Sequence, residues 1–273
     1  MQDRTYLKQK YRKISVALIS NLLILGAMAA FMRPSFETND DIVFAELGSG
    51  LRGVKDAHLV FQNYGLGMIY RLLYGVTGRL PWYTIVQYMI LFAAFTVVTY
   101  VLISRLGEIS GLCLFVILAC GFGYEGYIHL QFTKTAGIAA AAAVFLLLYL
   151  LEQEKYSWWG IAGGILLAVI AYMYREDQFW ASCGLMAGAG LLFLFDLRKY
   201  RNKKLRRLGI CVLTFGVLLL SVFGVDRWDS SKYRSAEWKE YQEFNQLRSE
   251  LLDYGFPDYD SNQKIYEELG ISR

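Results

Sequence analysis

Long apolar blocks alternate with short polar ones along most of the chain. The blocks run over 14–32, 81–104, 109–123, 135–151, 157–173, 179–195 and 208–225. A helix needs about 20 mostly apolar residues to cross a bilayer, and each block meets or approaches that length. The pattern predicts an all-α, polytopic integral membrane protein with about seven transmembrane helices. Block 109–123 is short. Block 157–173 is rich in Gly and Ala, which let membrane helices approach closely. A soluble helical protein has no need of so many near-uncharged runs.

The longest polar connection of the membrane region, 33–80, follows the first block. In "SFETNDD" the residues Ser35, Thr38, Asn39 and Asp40 can cap helix amides. "IVFAELGSG" then reads as a short helix ended by Gly48 or Gly50. Further on, Leu59, Val60, Tyr64, Leu66, Ile69, Leu72 and Leu73 recur at roughly helical spacing. Gln62, Asn63 and Arg71 interrupt them, which predicts an amphipathic helix at the membrane surface rather than a span. Pro81 opens the next helix, with Trp82 and Tyr83 as interfacial anchors.

Composition agrees: of 273 residues, 55% are hydrophobic and only 19% charged. Charge adds sidedness, because Lys and Arg of short loops stay in the cytoplasm. With the N-terminus inside, seven spans place the basic run "DLRKYRNKKLRR" inside as well. The inner side then holds 14 of the 28 Lys and Arg but 5 of the 24 acids. The expected layout is a cytoplasmic N-terminus over 1–13, a transmembrane domain over 14–225 with the outer loop 33–80, and an extracytoplasmic helical tail over 226–273. The first block is longer than a signal-peptide core and no small-x-small site follows it, so it reads as a retained span in the cell membrane. Cys113, Cys120, Cys183 and Cys211 all fall inside predicted spans and read as packing residues. Nothing in the charge pattern points to a nucleic-acid partner, and oligomeric state leaves no signal.

The outer side gathers the chemistry: Asp40 and Asp41 in the first loop, "GYEGYIHLQFTK" over 123–134, and "YREDQ" over 174–178. The string "TNDD…SG…G…HLVFQN…G…LLY…PWYT", over roughly residues 14–185 with its spans, resembles the GT-C superfamily of integral membrane glycosyltransferases, in a bacterial branch of such polytopic proteins. The resemblance implies a polyprenyl-phosphate sugar donor and a catalytic carboxylate in the first extracytoplasmic loop, a role that falls to Asp40 or Asp41. Family members usually have more spans and often a folded outer C-terminal domain. The tail ending "IYEELGISR" is therefore expected to be the opening of a longer outer segment, in a short or truncated member.

For such a transfer, a carboxylate takes the proton of the acceptor hydroxyl, and cations hold the lipid phosphate that leaves. Arg175 can bind phosphate bidentately, with Glu176 and Asp177 beside it as partners. Lys134, at a helix N-terminus, is a second phosphate candidate. Arg52 and His58 are further ones, and Glu125 is a candidate for a sugar pocket. Adjacent acids also bind Mg²⁺ or Mn²⁺, so a divalent metal on Asp40 and Asp41 stays open. Two other readings stay open too. A transporter of lipid-linked sugars is disfavoured by the near absence of ionisable residues inside the spans. The other is a non-catalytic membrane partner in envelope polysaccharide assembly.

Overall fold

A computed structural model describes residues 2–196, 204–268 and 270. The chain divides into two units, Met1–Arg227 and Trp228–Arg273. Among the described residues, five stretches are long and apolar enough to cross a membrane: Leu7–Phe31, Trp82–Leu106, Glu108–Tyr127, Phe132–Glu152 and Leu205–Lys232. Helix dominates throughout, consistent with an all-α membrane protein.

Helix α1 (Gln2–Phe31) starts at the second residue, so the basic N-terminal segment is continuous with the first apolar block instead of preceding it. Two short helices follow, α2 (Asn39–Ser49) and α3 (Tyr64–Val76), then the long α4 (Trp82–Leu106). Gly107, at φ 85°, turns the chain back. α5 (Glu108–Leu118) then runs through a π-helical turn, Ala119–Gly123, into α6 (Tyr124–Tyr127). Next come α7 (Phe132–Glu152) and α8 (Trp158–Tyr174), the latter 17 residues long. The span predicted over 179–195 is instead two ten-residue helices, α9 (Glu176–Leu185) and α10 (Ala187–Asp196), separated at Met186. Gly184, Gly188 and Gly190 flank the division, and each glycine weakens a helix by about 1 kcal/mol relative to alanine. α11 is Lys204–Lys232. Of the predicted inner basic run, Arg198, Lys199, Arg201 and Lys203 lie outside the described residues.

α7 is the centre of the bundle. Two-thirds of its apolar window is buried, against 11% for α1 and 22% for α11. Its "GIAAAAA" stretch presents small side chains, and Ala136, Ala139, Ala140, Ala142 and Ala143 are fully covered by neighbours. Without a hydrophobic drive between helices in lipid, close van der Waals packing of small residues holds them together. α4, α8 and α9 all pack on α7. The outward residues, among them Leu22, Leu23, Leu166, Leu219 and Leu220, are large, apolar and exposed, as a lipid-facing surface needs.

The 33–80 connection is clamped to this bundle. The two-residue strands β1 (Ser35–Phe36) and β2 (His129–Leu130) pair in parallel. Gly67 of α3 lies so close to the preceding loop that a Cβ there would be 2.1 Å from the Ala57 carbonyl oxygen. α3 buries Leu66, Tyr70 and Tyr74 and leaves Leu72 and Val76 exposed. Asn63, which in sequence only interrupts the apolar spacing, is its N-cap, accepting from the Gly65 N–H at 2.9 Å.

In the second unit, Ser235 caps α12 (Ala236–Tyr254) through the Trp238 N–H. A short α13 (Gln263–Glu268) follows, and the Tyr266 hydroxyl donates to the Pro257 carbonyl.

Asn21 is the polar anchor of α1. It is fully buried, donates to the Phe92 carbonyl at 2.9 Å and to Thr96 Oγ1 at 3.0 Å, and accepts from the Tyr127 hydroxyl at 2.9 Å. Such bonds between membrane helices contribute about 0.6–2 kcal/mol each. Asn21→Leu is therefore expected to lower the apparent melting temperature in detergent, whereas Leu23→Ala, on the exposed face of the same helix, leaves it nearly unchanged.

Candidate functional site

Asp40 and Asp41 occupy the first turn of α2, behind the N-cap Thr38. Thr38-x-x-Asp41 has the spacing of a capping box, and the Thr38 hydroxyl donates to Asp41 Oδ2 at 2.8 Å. One residue's difference in position sends the two acids into opposite surroundings. Asp40 is half-exposed and makes no hydrogen bond or ion pair among the described residues. Asp41 is fully buried.

Asp41 ties three helices together. Its Oδ1 accepts from the Tyr83 hydroxyl of α4 at 2.7 Å and from the Phe132 backbone N–H at 3.1 Å. Phe132 is the first residue of α7, and Gln131, at the N-cap position, gives it no side-chain cap. Asp41 thus caps the central helix from another element, where the helix dipole also favours a carboxylate. Around it, Tyr83 accepts from Gln62 Nε2 at 3.2 Å, and Gln87, which also reaches Asp41, donates to Thr135 Oγ1 at 3.1 Å. Gln62, Gln87 and Thr135 are all buried.

Burial pushes the Asp41 carboxyl above the usual carboxylate range, outweighing the opposite pull of its hydrogen bonds from Tyr83, Thr38, Phe132 and Gln87. Gln62 Oε1 and Gln87 Oε1 are buried with no hydrogen-bond partner among the described residues.

An aromatic layer covers this network. Phe44 meets Phe132 edge-on at 5.3 Å between ring centroids, and Phe61 stacks parallel to Phe132 at 6.5 Å. Arg175, the residue between α8 and α9, lays its guanidinium over Phe61 at 4.8 Å and over Phe132 at 5.7 Å. Its carboxylate contact, to Asp177, is 3.4 Å. Asp41 and Arg175 therefore meet the same residue, one at the Phe132 amide and the other at its ring. Glu176 turns toward Tyr172.

Lys134, in the first turn of α7, is held between two acids. It pairs with Glu37 at 2.5 Å and more tightly still with Glu125. Arg52 pairs with Glu46 at 2.6 Å. His58 Nδ1 lies 2.7 Å from Asp56. Burial raises the Asp56 carboxyl, but the hydrogen bonds and charge of His58 outweigh it and hold Asp56 below its usual range. Structural contacts thus gather Asp41, Arg175 and Lys134 around the start of α7, while Arg52 and His58 are engaged within the loop. Among the described residues no three His, Cys, Asp or Glu side chains form a metal-binding group. Both oxygens of Asp41 already accept hydrogen bonds.

Tyr83, expected as an interfacial anchor, is instead fully buried against Asp41; Gln62 reads in the sequence only as a polar interruption, and Gln87 and Thr135 are not singled out there. Gln87 carried a signal, as a lone amide inside the apolar block 81–104. Comparison with known proteins is silent: no family model, no curated protein and no solved structure matches the chain.

Folded Asp41 keeps its proton to higher pH than the unfolded chain does. As pH rises above about 4, the unfolded state releases that proton first, so stability falls with rising pH until the folded carboxyl ionises too. Asp41→Asn, which mimics the neutral acid, is expected to keep the fold and remove this part of the pH dependence in thermal unfolding. Asp41→Ala leaves the Tyr83 hydroxyl and the Phe132 N–H without their acceptor and is expected to cost about 3 kcal/mol or more.

Proposed function

We propose that the chain is a membrane glycosyltransferase of the extracytoplasmic face, moving a sugar from a polyprenyl-phosphate donor to a cell-envelope acceptor, with Asp40 as general base. In this reading the bilayer is crossed seven times: by the five long helices, by α8 as a short span, and by α9–α10 as one broken span. The N-terminus is then cytoplasmic, and the Asp41 end of the bundle and the C-terminal unit face outside, in keeping with the basic inner loops.

One observation carries the proposal: the unequal surroundings of the two acids. A base must be reachable by the proton it takes and held in place while it takes it. Asp40 is half-exposed and unpaired among the described residues, and its neighbour Asp41 is anchored to α4 and α7. The acceptor hydroxyl gives its proton to Asp40 as its oxygen bonds to the anomeric carbon. The bond from that carbon to the lipid phosphate breaks, and the phosphate keeps the electron pair. Arg175 suits the departing phosphate, since its guanidinium lies over Phe61 and Phe132 and its ion pair with the exposed Asp177 is long, at 3.4 Å. Lys134 suits it less, because Glu37 and Glu125 already neutralise it. The paired state of Lys134 and Arg52 favours the second reading, a non-catalytic partner in envelope polysaccharide assembly.

Asp40→Asn is expected to lower sugar transfer from a polyprenyl-phosphate sugar by roughly 100-fold or more without changing the melting temperature, and Arg175→Lys to weaken it with the fold intact. Unaltered transfer in Asp40→Asn would end the catalytic assignment and leave the partner reading.

A further inference from the structure

At the other end of the bundle a groove of about 340 Å³ opens among α1, α4, α7 and α8. Its wall includes Val97, Tyr100, Leu146 and Leu150, with Lys10 and Ser157 as polar residues at one end and Thr96 at the other. Tyr100 lies 17 residues along α4 from Tyr83, roughly 25 Å at helical rise, so the groove is separate from the Asp41 network. The volume falls within the range of small-molecule sites, ~300–1,000 Å³.

The groove has a direction. Ser157 stands just before the first residue of α8, and Lys10 Nζ donates to its hydroxyl at 3.1 Å. From this polar mouth the wall runs inward past Leu150 to Thr96, ten residues before the end of α4. That is roughly 15 Å, half of a hydrocarbon core of ~30 Å and so the depth of one leaflet. Trp159, 92% exposed, stands beside the mouth, as tryptophans do at headgroup level.

The charges at this end also differ in kind. Arg12 pairs with Glu108, and Arg105 with Glu152. Lys10 has a neutral hydroxyl as its partner and no carboxylate among the described residues. A cation over an apolar trough one leaflet deep is complementary to an anionic headgroup carrying an acyl chain.

We propose that this groove binds one anionic glycerophospholipid, with an acyl chain along Val97, Leu146 and Leu150 and the phosphate at Lys10 Nζ and Ser157 Oγ. It needs the bundle to lie in a bilayer but does not depend on the chemistry of the outer face.

The test is native mass spectrometry of the delipidated full chain, titrated with phosphatidylglycerol or with phosphatidylcholine of the same acyl chains. Wild type is expected to retain one phosphatidylglycerol in preference to phosphatidylcholine. Lys10→Gln should weaken phosphatidylglycerol retention about tenfold, the loss of one charge-assisted contact, while Lys10→Arg preserves it. Val97→Phe, which fills the trough, should reduce retention of both lipids. Equal retention of the two lipids by wild type, or a Lys10→Gln protein that binds as wild type does, would overturn the proposal. So would Val97→Phe binding both lipids unchanged.

Discussion

The hydrogen bond from the Phe132 amide to the buried carboxyl of Asp41 is the contact on which that end of the bundle depends. A helix leaves its first amides and last carbonyls without internal partners, and in an apolar surrounding these cannot go unpaired without a cost of several kcal/mol each. α7 is the most buried long helix, so its ends matter most. Asp41 reaches one end from α2, and at the other Arg207 of α11 donates to the Glu152 carbonyl at 3.1 Å. The acid sits at the positive end of the helix dipole and the guanidinium at the negative end. The central helix is thus terminated by side chains far from it in sequence, and the surrounding helices are drawn to its ends as well as to its alanine flank.

This has a structural effect on the loop after the first span. The β1–β2 pairing, Asp41 and the Tyr70–Tyr174 hydroxyl contact at 3.2 Å fasten that loop to α7, α4 and α8. Phe132 is where the separate attachments meet: its amide serves Asp41, while its ring supports Phe44, Phe61 and Arg175. A half-exposed carboxylate and a stacked guanidinium are thereby carried on rigid elements rather than on free loop, as a positioned chemical group requires.

Much of the architecture was legible in the sequence because apolar run length and helix signals are local properties. Run length marked α1, α4, α7 and α11, and of the two glycines in "ELGSG" expected to end α2, Gly48 and Gly50, it is Gly50, at φ 83°, that does so. The division of 179–195 was not legible, since the residues about Met186 read as equally apolar whether the helix continues or breaks. The candidate residues show the same limit. The pattern Thr-Asn-Asp-Asp marks a helix start, but which acid turns inward depends on Tyr83 and Phe132, 42 and 91 residues away. Lys134 looked available as a phosphate ligand because Glu37 is remote in sequence and Glu125 is a full segment earlier. Only the fold brings both to its ammonium.

The order of these partners along the chain bears on biogenesis. Asp41 leaves the ribosome well before Phe132, so the segment after α1 must wait, with its acid still hydrated, until α7 has been synthesised and inserted. The 33–80 loop can then close only as a late event of assembly, after the helices have met. A nascent chain halted before residue 132 would carry all of α2 and α3 and still lack the amide that fixes them.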